Sequence, residues 1–174
     1  MKIKEILEEQ ELTKYGTYAG AHFSDATVDA LSQYCKDNNI PNAIAPDKFH
    51  TTILYSRKHC PDYKARGKFD PMLVGTPHEK FHVWKTSPSD PNAEKTNCLI
   101  LPFDCPDLVA RHKELMDTHG ATYDYDEYKP HVTLSYNIGD IDADSLPPFK
   151  GKIEIADEYQ EDLDLDWAKT KANK

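Results

Sequence analysis

The chain has 174 residues, 39% of them hydrophobic, 10% aromatic, and a formal net charge of −9. That length and apolar content support one packed domain over 1–174 and exclude global disorder. Long nucleic acid is gripped through Lys and Arg neutralising phosphates, so a chain this acidic is a poor partner for a duplex. No apolar run approaches the roughly 20 residues of a spanning helix, so no membrane association is expected.

The first residues, "MKIKEILEEQEL", are too charged for a secretory signal and read as an amphipathic helix over 3–12, with Ile3, Ile6 and Leu7 on one side. Cysteines 35, 60, 98 and 105 form no C-x-x-C pair, which predicts free thiols and a cytoplasmic setting. Residues 15–23, "YGTYAGAHF", alternate as a strand. Thr17, Ala19, Ala21 and Phe23 share one face; Tyr18, Gly20 and His22 share the other. Ser24 or Asp25 caps a helix with Val28, Leu31 and Cys35 as its buried stripe and Asn38 and Asn39 at its end. A brief strand, "NAIA", precedes a strand headed by His50. The loop that follows, "SRKHCPDYKARGKFD", gathers Lys58, Lys64, Arg66 and Lys68, either to attract an anion or as a solvated loop. Strands follow around "KFHVWK" and "NCLILPF". Pro106 opens a second helix with Leu108, His112, Leu115 and Met116 on one side and Gly120 as its stop. "ATYDY" reads as a strand leading to one headed by His131. "GKIEIA" is the last strand, before an acidic tail over 157–174.

The order of helix, strand, turn and H-x-T strand occurs twice, and Ser24 to His50 and Cys105 to His131 each span 26 positions. An internal duplication follows from this match. The expected fold is α+β, with two pseudo-symmetric lobes of antiparallel sheet, each backed by a helix, around a central cleft. Residues two apart in a strand share a face. His50, Thr52, His131 and Thr133 therefore look into the cleft, while Thr51, Ile53, Tyr55, Val132, Leu134 and Tyr136 turn to the core. Two imidazoles can divide general base and general acid between them, and two hydroxyls can donate to phosphate oxygens. That set suits a phosphodiester with a neighbouring 2′-hydroxyl. The alternative is a pair of strand-edge histidines bonded to backbone. There is no H-E-x-x-H, zinc-spaced Cys/His pair, carboxylate trio, Walker loop or G-x-G-x-x-G, so neither metal nor cofactor is expected.

Paired H-x-T-apolar strands on a duplicated α+β frame resemble the 2H phosphoesterase superfamily. Within it, "GTYAGAHFS", "KFHTTILYS", "YKPHVTLSY" and "EDLDLDW" are most similar to the phage anti-CBASS phosphodiesterases. The resemblance implies a metal-independent enzyme that opens 3′–5′ bonds in cyclic di- and trinucleotide signals of a bacterial antiphage defence, in the host cytoplasm and without a protein partner. It implies catalytic roles for His50, Thr52, His131 and Thr133. It also implies ligand contacts at Tyr18, Trp84, Glu161 and Trp167, with the tail as a lid. Tyr125, on the strand before the second motif, is a further candidate contact by its position alone. Two rival readings keep the same site: an enzyme acting on RNA ends (2′,3′-cyclic phosphates or 2′–5′ linkages), or a sponge that binds the cyclic nucleotide uncut.

Overall fold

The computed structural model describes residues 15–86, 92 and 94–164. The helix expected over 3–12, and Trp167 with the rest of the tail beyond 164, lie outside them. Among the described residues the fold is α+β, with seven antiparallel strands and two α-helices. The strands are β1 (Tyr15–Phe23), β2 (His50–Ser56), β3 (Gly67–Pro77), β4 (His82–Lys85), β5 (Asn97–Asp104), β6 (His131–Ser135) and β7 (Ile153–Asp164). The helices are α1 (Asp25–Asp37) and α2 (Pro106–His119).

Local chemistry explains the helix ends. The Ser24 hydroxyl accepts the Thr27 amide at 3.2 Å, satisfying one of the orphan donors of the first turn of α1. Pro106 sits where its missing amide costs nothing, and Gly120 closes α2 in a left-handed conformation with φ 59°. α1 buries Thr27, Leu31, Tyr34 and Cys35, and packs against β7; α2 buries Leu108, Arg111, His112 and Leu115, and packs against β2 and β3. Ile53, Leu99, Leu101, Phe103, Val132, Leu134, Ile153 and Ile155 complete the core from the sheet. All four cysteines are unpaired and buried.

The strand order is β2-β1-β7-β3-β5-β4, with β6 also on β5. Pairing is dense within β2-β1-β7-β3 and within β4-β5-β6, while the ladder between β3 and β5 has just the pairs Thr76–Asp104 and Pro77–Phe103. A second connection runs between β2 and β6, where the Thr51 hydroxyl donates to the His131 carbonyl at 2.7 Å.

Several elements differ from the sequence reading. The acidic segment 157–164 is the second half of β7, at the centre of the sheet. Its charge is compatible with that place because Glu158 is matched inside: Arg111 donates Nε and a terminal nitrogen to its two carboxylate oxygens, each at 2.8 Å, and the Tyr63 hydroxyl adds a bond at 2.7 Å. β3 begins inside the supposed basic loop; its ladder to β7 skips from Lys68 to Leu73, which accommodates Pro71. "NAIA" contributes one bridge, Ala43 to Ser135. Residues 121–125 form no strand: the Thr122 amide donates to the Ser56 hydroxyl and Arg57 pairs with Asp124, so side chains hold this segment where a ladder was expected. Val83, which strand alternation puts on the same face as the buried Phe81, is exposed on β4, which pairs with β5 at the end of the strand order.

Burial alone would raise the Glu158 carboxyl; the bonds from Arg111 and Tyr63 outweigh it and hold the group below the ordinary glutamate value. Its stabilising contribution is present above the unfolded value of about 4.3 and lost as pH falls through the lower folded one. Arg111→Leu leaves that carboxylate buried without its partner and is expected to cost about 3–5 kcal/mol in urea unfolding at neutral pH. A loss below about 1 kcal/mol would place the pair among ordinary surface ion pairs.

Candidate functional site

The heads of β2 and β6 are built alike. His50 Nδ1 donates to the Lys48 carbonyl at 3.0 Å, and His131 Nδ1 donates to the Lys129 carbonyl at 2.9 Å. A carbonyl only accepts, so each bond fixes the proton on Nδ1 and leaves Nε2 for other partners. Both histidines, and Thr52 and Thr133 two residues on, are half-buried, while Thr51, Ile53, Val132 and Leu134 are buried. The Thr51 bond to the His131 carbonyl holds the two heads side by side. Trp84 stands edge-on to the His131 ring, with centroids 4.7 Å apart. Burial, with a smaller contribution from His50, pulls His131 below the ordinary histidine value against the opposing bond to Lys129. The neutral imidazole is the favoured form there.

Each motif strand carries a one-residue bulge at the same place. Thr52 pairs with Gly20 and Leu54 with Ala19, so Ile53 has no partner on β1. Thr133 pairs with Ile100 and Ser135 with Leu99, so Leu134 has no partner on β5. The fourth residue of H-x-T-apolar is thus the inserted one in both. A bulge resets the alternation beyond it. That is why Tyr55 and Tyr136, expected in the core, are 39% and 51% exposed.

The carbonyls beside the first bulge are met from the second half of the chain. His112 Nδ1 donates to the Ile53 carbonyl at 2.7 Å, and the Tyr128 hydroxyl donates to the Thr52 carbonyl at 2.8 Å. The His112 and Tyr128 rings stack, 4.3 Å apart and 10° from parallel. At the second bulge the Ile44 amide donates to the Leu134 carbonyl at 2.8 Å. Sequence reasoning placed His112 on the buried side of its helix but assigned it no partner, and Tyr128 gave no signal.

Register across β2, β1 and β7 sets three rows on one face: His50–His22–Asp157, Thr52–Gly20–Tyr159 and Tyr55–Tyr18–Glu161. Tyr18 reaches the site through its hydroxyl, 3.0 Å from Thr52 Oγ1, with its ring 9% exposed and so not open as a stacking surface. Burial raises its hydroxyl well above the ordinary tyrosine value and keeps it protonated. A Cβ on Gly20 would lie 2.6 Å from the Tyr159 ring, so glycine is what lets that ring lie beside Thr52. Glu161 is exposed at the end of the third row. Tyr125 is 74% exposed, on the loop after α2 with its ring against Tyr123.

A broad concavity of about 1020 Å³ opens on the second half, lined among others by His82, Trp84, His112, Tyr128 and His131. His50 and Thr52 lie outside its lining. The site defined by hydrogen bonds therefore straddles the edge of this space, with His131 and Trp84 belonging to both.

Fold and site together define an α+β protein whose antiparallel sheet presents two equivalently held histidines beside a ligand-sized concavity. The chain belongs to the Anti-CBASS protein Acb1 family, whose description matches residues 15–170. It is 36% identical over 157 residues to the Anti-CBASS protein Acb1 of Enterobacteria phage T4, covering 88% of this chain and 91% of that protein. It is 36% identical over 169 residues to that of Vibrio phage KVP40, covering 96% and 97%. For the Yersinia phage phiR1-RT protein the identity is 35% over 155 residues, covering 88% and 92%.

Tyr128→Phe removes a single oxygen and leaves the Thr52 carbonyl unmet, with an expected loss of about 1–3 kcal/mol in denaturant unfolding. Burial holds His112 below the ordinary histidine value. Its contribution is present above the unfolded value of about 6.5 and lost as pH falls below it. The stability difference between pH 8 and pH 5.5 is therefore expected to shrink in His112→Gln; an unchanged difference would mean His112 does not carry that dependence.

Proposed function

We propose that this protein is a metal-independent phosphodiesterase that opens 3′–5′ bonds in cyclic di- and trinucleotides and so counteracts a CBASS antiphage defence. The supporting observation is the pair of imidazoles on adjoining strand heads, each with Nδ1 fixed on the carbonyl two residues back and Nε2 left for a substrate. The family's name supplies the anti-CBASS role. The matching bulges and matching histidine bonds favour a pseudo-symmetric origin of the two halves, as in 2H phosphoesterases.

His131, favoured as neutral, is the base. Its Nε2 takes the proton of the ribose 2′-hydroxyl, O2′ attacks phosphorus, and the 5′-oxygen leaves with a proton from Nε2 of protonated His50. The products of this step are a 2′,3′-cyclic phosphate and a 5′-hydroxyl. Run in reverse with water in place of the leaving oxygen, the same pair gives a 3′-phosphate. Thr52 and Thr133 donate to the non-bridging oxygens as charge develops there. The Tyr18 hydroxyl lies 3.0 Å from Thr52 Oγ1, and with Tyr18 as the donor of that bond the threonine's own proton is left for the phosphate. Trp84, at the rim of the concavity, offers a ring to a base, which is worth about 1–3 kcal/mol. The net charge of −9 favours such a small ligand over long RNA. The similarity to phage proteins supports action in the cytoplasm of the host cell.

Ring opening is expected at full rate in excess EDTA, with His50→Ala and His131→Ala each reducing turnover by about 10²–10⁴. A ring with 2′-O-methyl groups should resist cleavage, and normal cutting of it would exclude attack by the 2′-oxygen. A nucleotide recovered intact after denaturing the protein would make it a sponge. Because a base must be neutral and His131 is held low, kcat/KM is expected to persist below about pH 6.5 and to fall only as pH passes the lower value.

A further inference from the structure

The mechanism above leaves one constellation on the same face unused. His22 is the cross-strand partner of His50 on β1. Directly opposed residues of an antiparallel pair have Cβ atoms about 4.5–5.5 Å apart and share a face. His22 is thus the imidazole next to the proposed catalytic one. On its other side it faces Asp157 of β7, and its Nδ1 lies 2.6 Å from Asp157 Oδ1. The Tyr159 ring lies flat against it, with centroids 4.2 Å apart and planes 17° from parallel.

Two contacts therefore fix this ring. The carboxylate takes one nitrogen and the tyrosine covers one face, while 49% of the side chain stays open to solvent. Nε2 is left without a protein partner among the described contacts. An exposed ion pair contributes roughly 0–1 kcal/mol to folding, so stability does not account for an imidazole oriented this closely. Lys68 of β3 is opposite Asp157 and exposed, so the row His50–His22–Asp157–Lys68 ends on a further cation.

We propose that His22, oriented by Asp157 and Tyr159, binds the phosphodiester of the ring adjacent to the one that is cut. The proposal rests on the reading of this face as a cyclic-oligonucleotide phosphodiesterase. A cyclic nucleotide carries a negative charge on every linkage, and the scissile one engages His50, His131, Thr52 and Thr133. A second linkage brings another anion to a protein that is already acidic, and a donor must meet it on the same face. With that phosphate in place, the His22 ring bridges two anions, giving one N–H to Asp157 and one to a phosphate oxygen. Lys68 lies in the same row to offset the carboxylate.

The test uses two cyclic dinucleotides in which one ribose is 2′-O-methylated, so that only the other linkage can be cut. In the first ring the uncut linkage is an ordinary phosphodiester; in the second it is a neutral methylphosphonate. A bond between an imidazole and a charged phosphate is worth roughly 1.5–3 kcal/mol. Wild-type protein is therefore expected to prefer the charged ring by about tenfold or more in kcat/KM, mainly through KM. His22→Ala is expected to abolish that preference, and Asp157→Asn to reduce it, with melting temperatures confirming that both variants fold. A wild type without preference, or a His22→Ala variant that keeps it, overturns the proposal. A loss of rate on both rings together, with their ratio preserved, also overturns it, because His22 would then act through His50. If the wild type cuts neither ring, the catalytic reading fails by itself. The subsite is then decided by calorimetry of both rings against wild type and His22→Ala, where the same preference must be present and then lost.

Discussion

The face that carries the histidines depends on a break in strand regularity. A β2 with unbroken alternation would send Tyr55 inward with Thr51 and Ile53. Insertion of Ile53 opposite β1, and of Leu134 opposite β5, ends the alternation after the H-x-T triplet. Each strand can then bury two consecutive residues, Ile53 with Leu54 and Leu134 with Ser135, before a tyrosine comes back out. An inserted residue also re-aims its carbonyls, which cannot stay unmet inside a protein. At the first insertion the acceptors are satisfied by two side chains, His112 and Tyr128, and at the second by the Ile44 amide. The two halves use the same backbone irregularity and support it differently.

Much of this was legible in the sequence. Both helices, β1, β5 and the motif strands follow from capping residues and periodicity, because those elements are local and their buried faces are continuous. His50, Thr52, His131 and Thr133 were legible for the same reason, since three residues before a bulge keep a period of two. Tyr55 and Tyr136 were misplaced because nothing in "HTTILYS" or "HVTLSYN" marks an inserted residue. The acidic half of β7 was read as tail because charge density signals solvation unless the partners are known. Arg111, which makes Glu158 tolerable inside, is 47 positions away. β3 was missed because Pro71 contradicts a strand except where the ladder skips it. His22 stood in the right alternation on β1, yet its significance needed Asp157, 135 positions away.

The charge of the chain is distributed by these same elements. Glu158 is turned inward and matched by Arg111, while Asp157 is turned to the site face and matched by His22. Neighbouring carboxylates on one strand therefore serve opposite surfaces of the sheet. One fixes α2 to the sheet; the other orients an imidazole beside His50. Tyr159, next along β7, stacks on that imidazole and fills the space that Gly20 leaves. A strand whose second half looks hydrophilic is in this way the common wall of the core and of the site.

The position of β7 has a consequence for how the protein is made. It lies between β1 and β3 in space, although it is the last described strand of the chain, so Tyr18 must wait for Glu161 before its own strand is flanked on both sides. Closing so long a loop is slow compared with forming helices or hairpins. During synthesis, β1 and β2 would leave the ribosome long before the strand that joins them to β3, with one edge of β1 unpaired throughout. The three rows across β2, β1 and β7 are therefore completed only in a late step, when Asp157, Tyr159 and Glu161 reach β1.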